Sequence, residues 1–184
     1  MVSERIQESI DVKQRMLEDQ HILSLIEETA SLFRDVLEHE GKILFCGNGG
    51  SASDSLHLVG EIVGRFQKER RSMAALSLNA DVAAMTAIAN DYGYDFVFSR
   101  AVEGLMRPED LLVGISTSGN SENVYQAIKK AKEIGGRTVA FLGRDGGKIK
   151  EIADISLIVP SNCTARIQEA HIMMGHIICE LIER

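Results

Sequence analysis

The stretch "KILFCGNGGSASDSLHLVGEIVGRF", Lys42 to Phe66, changes character three times, and those changes decide the fold. Ile43 to Cys46 are four apolar residues that read as a short buried strand. Gly47, Asn48, Gly49, Gly50 and Ser51 form a loop of small residues, and an amphipathic run from Ser51 then carries His57 and Glu61. A strand that runs through a glycine loop into a helix is the opening of a βαβ unit.

Working outward, the same punctuation recurs. Strand-like runs lie at Met73 to Leu78, Leu111 to Ile115, Thr138 to Leu142 and Ile155 to Val159, each separated from the next by a longer helical stretch. Five such runs predict an α/β fold whose parallel sheet is covered on both faces. Before them, residues 4–39 are all helix-compatible, with apolar positions at helical spacing, and read as two helices that break near Asp19 to His21. Thr164 to Arg184 reads as a closing helix. Pro108 and Pro160 fall at a helix end and a strand end, where proline is tolerated. The N-terminal pair and the closing helix offer more apolar surface than one sheet needs. That surplus serves either packing within the chain or self-association.

The 184 residues, 45% of them hydrophobic, suit a single domain spanning 1–184, with residues 1–40 as a helical extension. The net charge of -7 gives no general electrostatic footprint for nucleic acid, so any attraction for an anion must be local. Cys46, Cys163 and Cys179 are odd in number and show no paired spacing, which argues against a disulfide framework and a thiolate zinc site. No apolar run approaches the length needed to span a bilayer, and the expected compartment is the cytoplasm.

Two strands lead into loops of one type, Cys46 into GNGGSAS and Ile115 into STSGNSEN. In open parallel sheets, ligands bind beyond the carboxyl ends of strands, so both loops belong on the binding edge. Each also opens a helix, whose N-terminal N–H groups carry partial positive charge, and small residues let an oxyanion approach them. Hydroxyls of Ser51, Ser116, Thr117, Ser118 and Ser121 add donors. Phosphate is the natural guest; the alternative is that glycine and serine merely form turns and caps. Gly47, Gly49 and Ala52 match a dinucleotide fingerprint, but Asn79 stands where an acid for the ribose is expected, and neither loop carries the Gly-Lys-Ser/Thr of a nucleoside triphosphate site.

On the helix from Ser51, residues Leu56, Leu58, Val59, Ile62, Val63 and Phe66 cover most of the circumference. They leave Asp54, His57, Glu61 and Arg65 along one polar stripe. His57 and Glu61, four apart, project side by side and suit metal binding, acid and base work, or a solvated ion pair. Glu61 lies about 15 Å beyond the Ser51 loop by helical rise, a span that an extended sugar phosphate partly fills. The closing helix adds Arg166, Gln168, His171 and His176.

The segments "CGNGGSASDSLHLVGEIVGRF", "AIANDYG", "GISTSGNSENV", "GRDGGKI" and "ARIQEAHIMMGHIICELIE" together resemble the phosphoheptose isomerases of the sugar isomerase (SIS) domain superfamily. The resemblance runs over nearly the whole chain. It implies a three-layer αβα sandwich with a five-stranded parallel sheet, flavodoxin-like, plus the N-terminal helices. It also implies a homotetramer with sites at subunit interfaces, the 1–40 extension serving in oligomerisation. The implied activity converts sedoheptulose 7-phosphate into D-glycero-D-manno-heptose 7-phosphate, the first step toward the ADP-heptose of the lipopolysaccharide core. Further implied are phosphate contacts from Ser51, Ser116, Thr117, Ser118 and Ser121 and a sugar site lined by Asn48, Gly49, Gly50, Asn90 and Asp91. A zinc ion on His57, Glu61, Gln168 and His176 is implied as well, with Glu61 and His176 catalytic and Glu61 and Gln168 also touching substrate. Ala165 departs from members with an acid at that position. Non-enzymatic SIS modules, which sense phosphosugars or bind a replication initiator protein, are the rival class; the initiator-binding relative lacks counterparts of Glu61 and His176.

Gln168 and His176 are eight residues apart, about 12 Å along a straight helix. Reaching one metal from both therefore requires a bent helix or ligands from different chains.

Overall fold

The computed structural model describes all residues, 1–184. Two helices come first, α1 (Val2–Glu18) and α2 (Gln20–Glu38). They break at Asp19, whose side chain accepts the His21 and Ile22 N–H groups and so caps α2. Then follow β1 (Ile43–Gly47), α3 (Gly50–Val63), β2 (Ala75–Ser77), α4 (Val82–Tyr92), α5 (Val97–Leu105), β3 (Leu111–Ser116), α6 (Glu122–Ile134), β4 (Arg137–Gly143), β5 (Ile155–Val159) and α7 (Thr164–Ile182).

All neighbouring strands pair in parallel in the order β2-β1-β3-β4-β5. This is the flavodoxin-like order, and its switch point falls between β1 and β3. Every residue of β1 and β3 is buried, which is why both strands are runs of apolar residues without alternation. The expected α/β sandwich is therefore present. Helices α1, α2, α3 and α7 cover one face of the sheet, and α5 and α6 the other.

Three expectations need correction. No longer helical stretch separates β4 from β5; a loop with one 3-10 turn, Ile149–Glu151, joins them. The strand expected over Met73 to Leu78 pairs only through Ala75–Ser77, because β2 is an edge strand with β1 as its sole neighbour. Helix α3 stops at Val63, before Arg65 and Phe66, and its Leu56 and Val63 are 47% and 41% exposed rather than packed. Only the stripe of Ser51, Ser55, Leu58 and Ile62 is buried, since the sheet and α7 contact α3 from one side and leave the other open.

Candidate active site

The loops after β1 and β3 lie side by side at the carboxyl edge of the switch point. Their side chains lock the two together. Asn48 and Asn123 exchange amide hydrogen bonds, each Nδ2 donating to the other's Oδ1 at 2.8 Å, and the Tyr94 hydroxyl donates to Asn48 Oδ1 at 3.0 Å. Asn79 holds Gly47 on both sides, accepting its N–H at 3.2 Å and donating to its carbonyl at 2.9 Å. The residue read from sequence as a missing ribose acid is thus a clamp on the glycine loop.

Neither helix entered from these loops is closed by a side-chain cap. Ser121 at the N-cap of α6 turns instead to Ser116, with their hydroxyls 2.8 Å apart. That arrangement disfavours the reading of these serines as simple caps and leaves N–H groups directed at the edge. Ser51 is buried at the start of α3, and Thr117 and Ser118 are half-buried beside the Ser116–Ser121 pair. From the far side the 144–149 loop braces the second loop: Ile149 N–H donates to Gly119 carbonyl and Lys148 N–H to Asn120 Oδ1. Asn90 and Asp91 stand apart, exposed at the end of α4 and bonded to each other at 2.8 Å.

Helices α3 and α7 run alongside one another in the same direction. A Cβ on Gly175 would fall 2.5 Å from Leu58, so glycine is what lets the two axes approach there. Gly50 likewise faces Gln168. This register brings His176 of α7 onto His57 and Glu61 of α3. His57 Nε2 lies 3.0 Å from both Glu61 Oε1 and His176 Nε2, and the ligand atoms of all three residues lie within 4.8 Å of one another.

The three atoms pose a proton conflict. If His57 Nε2 carries hydrogen, it can donate to Glu61 but has no lone pair for His176. If it is bare, it accepts from His176 and meets the carboxylate lone pair to lone pair. A divalent cation among them removes the conflict. Two imidazoles and a carboxylate with an open side are a donor set that metals accept. Gln168 does not join them; it sits two helical turns back, against Gly50 at the glycine loop.

Two neighbours complete the face. Asp54, one turn before His57, has a carboxyl oxygen buried without a partner, and burial, opposed by the charge of His57, pushes its pKa up to about 6. The ring of Phe66 stacks on His176, centroids 5.4 Å apart and planes within 23°. The third candidate histidine named from sequence, His171, is fully buried: its Nε2 lies 2.9 Å from the Leu142 carbonyl, and it belongs to the core.

The SIS domain family profile matches residues 6–143. The phosphoheptose isomerase of Helicobacter pylori strain P12 is 55% identical over 160 residues, 87% of this chain and 83% of the relative. That of Sulfurimonas denitrificans is 46% identical over 183 residues, 100% of this chain and 94% of the relative. The chain belongs to the phosphoheptose isomerase family of SIS domain proteins. Among solved structures, the phosphoheptose isomerase GmhA from Neisseria gonorrhoeae superposes with a TM-score of 0.93 at 45% identity, covering 99% of this chain and 96% of that one. The sequence reading did not single out Asn123, Tyr94 or Asn79 as site residues, although Asn123 stood within a quoted loop and Asn79 closed a strand.

Proposed function

We propose that this chain is a ketose–aldose isomerase acting on sedoheptulose 7-phosphate and giving D-glycero-D-manno-heptose 7-phosphate, which opens the supply of ADP-heptose. The observation that carries this reading is the meeting of Glu61, His57 and His176 along the paired helices α3 and α7, in a fold that also presents two uncapped helix N-termini at α3 and α6. The phosphate binds at Ser51, Ser116, Thr117, Ser118 and Ser121. Asn48, Gly49, Gly50, Asn90, Asp91 and Gln168 line the sugar. Anchoring the phosphate far from the reacting carbons uses binding energy to fix C1 and C2 at the proton-transfer groups.

In the reaction Glu61 takes a proton from C1 while His176 gives one to O2, forming an enediol. Glu61 then returns its proton to C2 as His176 takes one from O1, so the protons balance and the carbonyl has moved to C1. A zinc ion held by His57, Glu61 and His176 would supply polarisation of the substrate oxygens. Gln168, two turns away within the chain, would reach such an ion from a neighbouring copy. This supports a homotetramer assembled through the 1–40 helices with shared sites. Exposed Ile6, Ile10 and Leu17 on α1 and Val82, Tyr92 and Phe96 around α4 supply apolar surface for it. No helix is long and apolar enough to cross a membrane, and all three cysteines are unpaired, which supports action in the cytoplasm.

The test is incubation of the purified protein with sedoheptulose 7-phosphate and detection of the aldose by chromatography; absence of aldose, with the replication initiator protein bound instead, would favour the non-enzymatic class. Chelation is expected to remove activity, and added zinc to restore it. Full turnover after verified metal removal would eliminate the cation from the reading. Dilution to monomer, followed by sedimentation alongside rate, is expected to abolish turnover.

A further inference from the structure

Helix α3 ends without the left-handed glycine that closes many helices; Gly64 has φ -73 and ψ -105. Its last carbonyls are satisfied by the segment that follows. Arg70 donates from Nη2 to the Glu61 carbonyl at 2.9 Å and from Nη1 to the Ile62 carbonyl at 3.0 Å, and the Ser72 hydroxyl donates to the Val63 carbonyl at 2.8 Å. A guanidinium at a helix C-terminus also matches the negative end of the helix dipole.

That arginine is itself held by Glu183. The Glu183 carboxylate, on a side chain only 1% exposed, accepts from Arg70 Nε at 2.8 Å and from the N–H groups of Phe66, Gln67 and Lys68 at 2.9, 2.8 and 2.9 Å. Four donors converge on one carboxylate, and these bonds hold its pKa down to about 2 against the cost of burial, so it is charged at any working pH. Glu183 follows His176 by two helical turns along α7. The clasp therefore fixes both sides of the site at once: the Glu61 turn through Arg70, and the Phe66 ring against the His176 imidazole through the backbone it grips.

We infer that Glu183 is a positioning residue for the proton-transfer pair, acting through Arg70 on Glu61 and through Phe66 on His176. The inference rests on the reading of Glu61 and His176 given under the proposed function, while the clasp and the stack stand apart from it. An unclasped segment would let the Phe66 ring and the α3 terminus drift by a fraction of a side chain's length. Near-attack geometry is sensitive on that scale; a misplacement of about 1 Å costs about 100-fold in rate. The phosphate loops, at the other end of α3, make no contact with the clasp.

The experiment compares the full-length protein with Glu183→Ala, Phe66→Leu and the conservative Phe66→Tyr. Glu183→Ala and Phe66→Leu are each expected to lower kcat by about 10- to 100-fold with KM within about threefold, and Phe66→Tyr, which keeps the stack, to stay near the parent. Imidazole resonances of His176, read by proton–carbon NMR at fixed pH, supply a measure independent of turnover. Loss of the stacked ring is expected to move them downfield in Phe66→Leu and to the same side in Glu183→Ala. A Glu183→Ala protein that leaves these resonances at their parent positions overturns the inference, as does a Phe66→Leu protein with parent kcat. Should Glu183→Ala fail to fold, Phe66→Leu against Phe66→Tyr decides. An inactive parent refutes the proposed function, and the resonances then still decide whether the clasp holds the stack.

Discussion

The two edges of the sheet use the same kinds of groups to opposite ends. At the amino edge, Asp110 before β3 accepts the N–H of Lys42 at 2.9 Å, the Lys42 ammonium at 2.5 Å and the Arg107 N–H at 2.7 Å. Asp154 before β5 likewise takes the N–H and hydroxyl of Thr138 and the ammonium of Lys132. Each acceptor there is filled from within the chain. At the carboxyl edge, α3 and α6 begin without side-chain caps, and farther along α3 Asp54 keeps an unpartnered buried oxygen while His57, Glu61 and His176 crowd together with one proton too few or too many. A saturated polar group is structural. An unsaturated one at a switch point awaits something from outside.

The sharpest way to break that contrast is at Glu61. Glu61→Gln keeps the shape and removes the base, so kcat is expected to fall by about 1,000-fold or more while KM stays within about threefold and thermal stability is unchanged. Steady-state kinetics with a melting curve on the same sample check it. Full activity in this variant would remove Glu61 from the mechanism. Asp110→Ala should behave in the reverse way. Its carboxylate is 2% exposed and serves three donors, so loss is expected to cost about 2–4 kcal/mol of stability by denaturant unfolding, with kcat at the parent value. A drop in kcat in the folded Asp110→Ala protein would mean that the amino edge also shapes the site.

The same contrast explains what was legible in the sequence. Strands buried on both faces announce themselves as apolar runs, which is why β1, β3 and β4 were read to within a residue or two; the edge strand β5, buried at alternate residues, is still an apolar run and was read whole, whereas the edge strand β2 was overread. The glycine and serine loops were legible because their chemistry is local: small residues next to a helix start. His57 and Glu61 were legible as a pair by their spacing on one helix. What could not be read was register between elements far apart in sequence. Asn48 finds Asn123 across 75 positions, and nothing in either loop states that the amides will face each other. Likewise the α3/α7 alignment places His176 at the site, His171 in the core and Gln168 at the glycine loop, although all three lie on one helix of ordinary sequence. Side-chain composition fixed which residues were reactive in kind; packing at Gly175 and Leu58 decided which of them met.

His171 gives the cleanest separation of the two histidines on α7. Its Nε2 hydrogen is committed to the Leu142 carbonyl, and its Nδ1 is buried without a partner. Burial therefore lowers its pKa from 6.5 to about 4, with the Leu142 bond opposing. Between those values the folded chain holds fewer protons than the unfolded one. The stability that neutral His171 contributes is complete above pH 6.5 and is lost as pH falls through about 4, by roughly 3 kcal/mol in all. Asp54 acts in the other sense: with its pKa raised from 3.8 to about 6, its contribution is present below pH 3.8 and lost as pH rises through 6, so acidification over that range regains stability. Comparing His171→Gln with the parent cancels the Asp54 effect, since both carry it. Glutamine can still donate to Leu142, and the variant is expected to lose less stability than the parent between pH 6.5 and 4, with denaturant midpoints measured across that range. Parallel curves for the two proteins would show that His171 does not titrate on unfolding.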